Sequence, residues 1–144
     1  MTFQWLEIRI SEEQDRRQRE AEVLQRLPRV LDEMHTTLGQ CIADYQGAFG
    51  AESAEVSGHL SRIRVTVREK RESKWEPTAK VDVTLDLKLP GLQIDRGGTV
   101  LAIEVGLLPG DNLFFREAET NQFITMEDLT RRILDRALFP KLPE

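Results

Sequence analysis

His35, Cys41 and His59 are the only histidine and cysteine side chains in the chain. A structural or catalytic metal centre of the zinc type needs three or four converging ligands. His35 and Cys41 lie six residues apart, which places them on different faces of a helix. No metal site is therefore expected. Cys41 falls within an apolar stripe, where a thiol acts as a small buried hydrophobe rather than a nucleophile. A single cysteine excludes an internal disulfide and makes the cytoplasm the default compartment.

Other chemistry finds no better support. Gly97-Gly98 precedes a strand pattern rather than a helix, so it reads as a hairpin turn and not as a phosphate loop. No cofactor is expected. Tyr45, His59, Glu104 and Asp111 could line a pocket between a helix and a sheet, but their spacing identifies no acid–base pair. No catalytic residue is assigned, and the chain reads as a non-enzyme.

The elements that would position these residues are clearer. Leu24, Leu27, Leu31, Met34, Leu38, Cys41 and Tyr45 recur at alternating steps of three and four. That spacing sets all of them on one face of an α-helix. Ser11 followed by Gln14 fits a capping box, and Glu12, Glu13 and Asp15 suit the positive end of a helix dipole. Gly47 and Gly50 supply a stop. The predicted helix covers residues 12–48 and would extend roughly 50 Å at 1.5 Å per residue. Pro28 interrupts it; because the apolar phase survives, a kink is expected there rather than a reversal. Residues 3–10, with Phe3, Trp5, Ile8 and Ile10, could form a first strand or an apolar lead-in. The stretch from Asp15 to Glu22 is almost wholly charged and reads as solvated.

Beyond residue 53 the apolar period changes to two. Ile63, Val65 and Val67 alternate with Arg62, Arg64 and Arg68. Ala79, Val81, Val83, Leu85, Leu87 and Leu89 alternate with Lys80, Asp82, Asp86 and Lys88. These are half-buried strands of an antiparallel sheet, with Arg64 opposite Asp82 or Asp86. Pro90-Gly91 is expected to bend the second strand. Asp95–Gly98 and Leu108–Asn112 are turns around a strand that carries Leu101, Ile103 and Val105 inward. Thr125 caps a last helix, residues 126–139, stopped by Pro140.

The expected architecture is one α+β domain over residues 1–144. A long N-terminal helix, kinked at Pro28, packs on a four- to five-stranded antiparallel sheet within residues 56–124, and a short C-terminal helix follows. The order of elements resembles the cystatin-like and nuclear-transport-factor-like cones, in which an antiparallel sheet wraps a long helix. With residues 3–10 as a strand it also resembles the helix-grip lipid-binding folds, whose C-terminal helix is longer than residues 126–139. The likeness is one of element order alone and carries over no functional residue.

Composition narrows the partners. Charged residues make up 31% of the chain, the net charge is −5 and the pI is near 5.2. That balance argues against general binding to nucleic acid or to an anionic membrane. No apolar run approaches the roughly 20 residues a membrane span requires, and the start has no signal-peptide pattern.

Two surfaces remain as interaction candidates. One is the helix stripe at Leu24, Leu27 and Leu31, whose heptad spacing suits a homodimer seam or a protein partner. The other is the basic hairpin of residues 62–80, with Arg64, Arg68 and Trp75, which could meet phosphate groups. The leading expectation is a self-associating or protein-binding module; the alternative is a cone with a ligand or catalytic pocket between helix and sheet.

Overall fold

A computed structural model describes residues 3–59 and 61–143. Among these residues there are two helices and seven strands. Helix α1 (Gln4–Phe49) is followed by β1 (Ala54–His59), β2 (Arg62–Arg71), β3 (Lys74–Asp86), β4 (Gly91–Asp95), β5 (Val100–Leu108), β6 (Asn112–Glu117), β7 (Phe123–Ile124) and α2 (Met126–Leu138). The strands form one meander in chain order, each antiparallel to the next.

The α+β arrangement agrees with the alternation of apolar residues, but the sheet has seven strands rather than four or five. One added strand, β1, uses Ala54, Val56 and Gly58 as its inner face, opposite Val67, Val65 and Ile63. At Gly58 the place of a side chain is taken by His35: a Cβ there would fall 2.8 Å from the imidazole. The other correction is at Pro90-Gly91. Instead of bending one strand, the chain reverses, and β4 pairs back on β3 with Leu85 opposite Leu92. Gly91 is required where it stands, since a Cβ there would lie 1.9 Å from the Ile103 carbonyl oxygen on β5.

Helix α1 starts well before Ser11. Residues 4–10 are its first two turns rather than a strand or a lead-in, and no side chain caps its start. The helix continues unbroken through Pro28, with no reversal. Pro28 is on the exposed side, where water can bond the carbonyl that its missing N–H leaves unpaired. At the far end the Gly50 N–H caps the Gln46 carbonyl, and the Gln46 side chain donates to the Ala54 carbonyl at 2.6 Å, tying helix to sheet. The end of α2 forms as its residues suggest: the Thr125 hydroxyl accepts from the Asp128 N–H at 3.1 Å.

Both helices cover the same face of the sheet. Leu31, Met34, Leu38 and Ile42 of α1 and Leu129, Ile133 and Leu134 of α2 pack with Ile63, Val65, Val81, Val83, Leu92, Ile94 and Ile103. A smaller cluster of Val23, Leu27 and Val105 extends this core toward the middle of α1. The other face of the sheet is solvated and carries cross-strand ion pairs, Arg64 with Asp82 and Arg116 with Glu104, both at 2.7 Å. No described helix is long and apolar enough to cross a membrane.

Candidate functional site

The helix is longer than its sheet. From Val23 to Ile42 its inner face is buried, whereas no residue from Gln4 to Glu22 is. At 1.5 Å per residue that uncovered stretch spans roughly 28 Å. Its first turns expose Phe3 (61%), Trp5 (65%), Leu6 (38%), Ile8 (52%) and Ile10 (47%). Singly exposed apolar side chains are ordinary on a protein surface, but here five fall within eight residues; Phe3, Leu6 and Ile10 share one face, whereas Trp5 and Ile8 lie off it.

The charged stretch that follows is held helical by local ion pairs. Arg16 bonds Glu13 at 2.7 Å and Glu20 at 2.6 Å, and Arg9 bonds Glu12 at 2.9 Å. Each such exposed pair contributes only about 0.2–0.5 kcal/mol. A helix of this length without packing is marginal in water. Local pairs thus explain how the stretch can form, but they do not explain why its end is apolar.

The structure separates the residues singled out in the sequence. Leu27 and Leu31 are buried under the chain's own sheet, and Leu24 is half-buried beside them, so the heptad stripe is chiefly core and not a partner surface. The exposed apolar residues of α1 instead cluster in its first turns, within 3–10, with Phe49 at the far end. A signal for them was present: stepping back from Leu24 by alternating four and three meets Glu20, Arg17, Glu13, Ile10, Leu6 and Phe3. The apolar phase returns at the far side of a charged interruption.

Arg64 and Arg68 lie on the solvated side of β2, but each is engaged, with Asp82 at 2.7 Å and with Glu55 at 2.8 Å. Trp75 is half-buried, and its ring lies over Gly50, where a Cβ would meet it at 3.3 Å. Trp75 also lines a cleft of about 410 Å³ at the rim of the helix–sheet sandwich, with Tyr45, Phe49 and Phe139. Tyr45 packs against Phe49 and Phe139 at ring separations of 4.7 and 5.7 Å. Burial, aided by the negative charge of Glu69, pushes its phenol above the ordinary tyrosine range.

The polar groups of this cleft serve the fold. The Ser53 hydroxyl donates to the Gly50 carbonyl at 2.6 Å, that of Thr78 to Val67 at 3.3 Å and that of Tyr45 to Leu138 at 3.4 Å. No nucleophile–base pair is formed by these groups. The four residues considered as liners of a helix–sheet pocket do not converge. Tyr45 is in the rim cleft and Glu104 pairs with Arg116 on the solvated face. Asp111 occupies the β5–β6 turn, and His59 ends β1, exposed. Among the described residues no group of three or more His, Cys, Asp or Glu side chains could hold a metal ion. Cys41 is half-buried against the core.

No family model, curated protein or solved structure matches this chain.

Proposed function

We propose that this chain is a non-enzymatic interaction module that acts through the uncovered first half of α1, with a second copy of itself as the partner. The observation that carries the reading is the exposure of Phe3, Trp5, Leu6, Ile8 and Ile10 at the tip of a helix that leaves its own sheet at Val23. Covering those side chains would remove apolar surface from water at about 25 cal/mol per Å². It would also supply the packing that a solvated helix lacks.

The pocket alternative has less support. The space between α1 and the sheet is filled by wholly buried side chains, among them Leu27, Met34, Leu38, Ile63, Leu92 and Ile103. The cleft beneath Trp75 lies at the rim, and its hydroxyl groups are already bonded to backbone carbonyls.

Light scattering coupled to size exclusion tests the reading. The full chain is expected at twice its 16.6 kDa mass at tens of micromolar. Leu6→Glu combined with Ile10→Glu, on one face of the helix, is expected to return it to a monomer that still melts cooperatively. A wild-type chain that stays at 16.6 kDa would reject self-association.

A further inference from the structure

Resting on that reading, we infer that two copies pair through residues 6–24 as antiparallel helices, with Glu13 of each facing Arg17 of the other. The argument starts from charge order. Glu12, Glu13 and Asp15 are followed directly by Arg16, Arg17 and Arg19. Three negative charges thus adjoin three positive ones on a stretch of helix in which no side chain is buried. Such a sequence is self-complementary only when the second copy runs in the opposite direction. A parallel, in-register pair would set each block against its own sign, which disfavours association.

The apolar phase selects the same arrangement. Phe3, Leu6, Ile10, Glu13, Arg17, Glu20 and Leu24 follow steps of three and four, and these positions form one face of α1. With Glu13 opposite Arg17, Ile10 faces Glu20 and Leu6 faces Leu24 of the second copy. Glu20 stays bound to Arg16 at 2.6 Å beside that seam. Moving the pairing by one heptad one way sets Leu6 against Arg17; moving it the other way sets Glu13 against Leu24. Only the stated register matches apolar with apolar at its ends and opposite charges at its centre.

The landing place is suitable. Leu24 and Leu85 are half-buried where α1 meets the sheet, both packed on the Val23, Leu27 and Val105 cluster. The apolar tip of one copy is thereby set against the partly exposed Leu24 of the other. The ion pairs within each helix are exposed and weak, so exchanging them for pairs between helices costs little.

The experiment is a charge-exchange series read by sedimentation or light scattering, with circular dichroism to follow helix content. Glu13→Arg alone, or Arg17→Glu alone, places like charges at both symmetry-related central contacts and should weaken the dimer roughly tenfold or more. An equimolar mixture of the two single variants restores both opposite-charge contacts between chains, while the pair within each helix remains broken. It should dimerise close to the wild-type level. The double variant E13R/R17E should also recover. Single variants that dimerise as well as wild type, or a mixture that stays monomeric, would overturn the antiparallel register while leaving self-association standing. A monomeric wild-type chain would overturn both.

Discussion

Phe114 on β6 lies across Gly106 on β5, its direct cross-strand partner, so that a Cβ at Gly106 would fall 2.1 Å from the ring Cζ. The ring fills the place of the missing side chain. It also packs on Phe123 of β7 at 5.2 Å, which joins the last three strands on the solvated face. Gly106→Ala is therefore expected to push the ring outward and lower stability by no more than about 1 kcal/mol, the low end of overpacking, because the far end of the ring faces solvent and can move. Denaturant unfolding of the variant measures this. A change within a few tenths would mean that the ring swings aside without loss.

A second expectation concerns acid. Arg64 and Asp82 are register partners on β2 and β3 and bond at 2.7 and 3.3 Å. The Arg64 guanidinium holds the Asp82 carboxyl below its ordinary range, against an opposing effect of burial. Asp86 is lowered as well, by the Gln93 side chain and the Leu89 N–H. A carboxylate whose pKa falls on folding stabilises the native state above its unfolded value of about 3.9 and loses that contribution as pH drops through its folded value. The Arg64 side chain is still 35% exposed, so water screens the pair and its contribution is small. Asp82→Asn should lower stability slightly at neutral pH and flatten the stability profile below about pH 4. Urea midpoints measured from neutral pH down to pH 3 compare the two profiles; parallel curves would exclude the pair as a contributor.

The third expectation ranks core positions. Leu38 is wholly buried between α1 and the sheet, and Leu38→Ala should cost about 2–5 kcal/mol. Val83 is wholly buried beneath α1, whereas Leu85, on the same face of β3, is half-buried and bridges the main and smaller clusters. Leu85→Ala should therefore cost less, about 1–2 kcal/mol, because part of the side chain never leaves water. Equal losses at the two positions would contradict this ranking.

How far the fold was legible depended on how large its inward residues are. β2, β3 and β5 announce themselves because Ile63, Val65, Val81, Val83, Leu101 and Ile103 alternate with charged or small residues, and that alternation is the physical cause of their one-sided burial. β1 was illegible because its inner positions include Ala54 and Gly58, and the missing side chain at Gly58 is explained only by His35 from a distant turn of α1. The reversal before β4 had a signal: inward residues shift from odd positions at Val81 and Val83 to even ones at Leu92 and Ile94. A bend at Pro90-Gly91 does not account for that shift. Residues 4–10 alternate like a strand, yet a strand needs a sheet edge for its backbone bonds, and a helix supplies its own. The candidate surface was half legible. A helix too long for its sheet was evident from its length, but the free half turned out to carry Trp5 and Ile8 rather than Leu27 and Leu31.

The last expectation concerns the basic hairpin and nucleic acid. Affinity for phosphate comes from releasing condensed counterions, with a log–log salt slope of about −0.9 for each phosphate neutralised on duplex DNA. Arg64 and Arg68 are the central cations of the hairpin, and both would have to leave carboxylate partners, Asp82 and Glu55, to reach a phosphate. Arg71 lies 3.7 Å from Glu69 and is similarly offset. Trp75 would have to lift off Gly50 to offer its ring for stacking on a base. The chain as a whole carries −5 and would repel a polyanion wherever the hairpin does not touch it. Fluorescence anisotropy with labelled duplex and single-stranded oligonucleotides should therefore show no saturable binding at physiological ionic strength, where the Debye length is about 8 Å. Glu55→Gln with Asp82→Asn frees both arginines and should raise whatever weak binding occurs at low salt. Micromolar affinity for the wild-type chain at physiological salt, abolished by Arg64→Ser with Arg68→Ser, would make the hairpin rather than the helix tip the working surface.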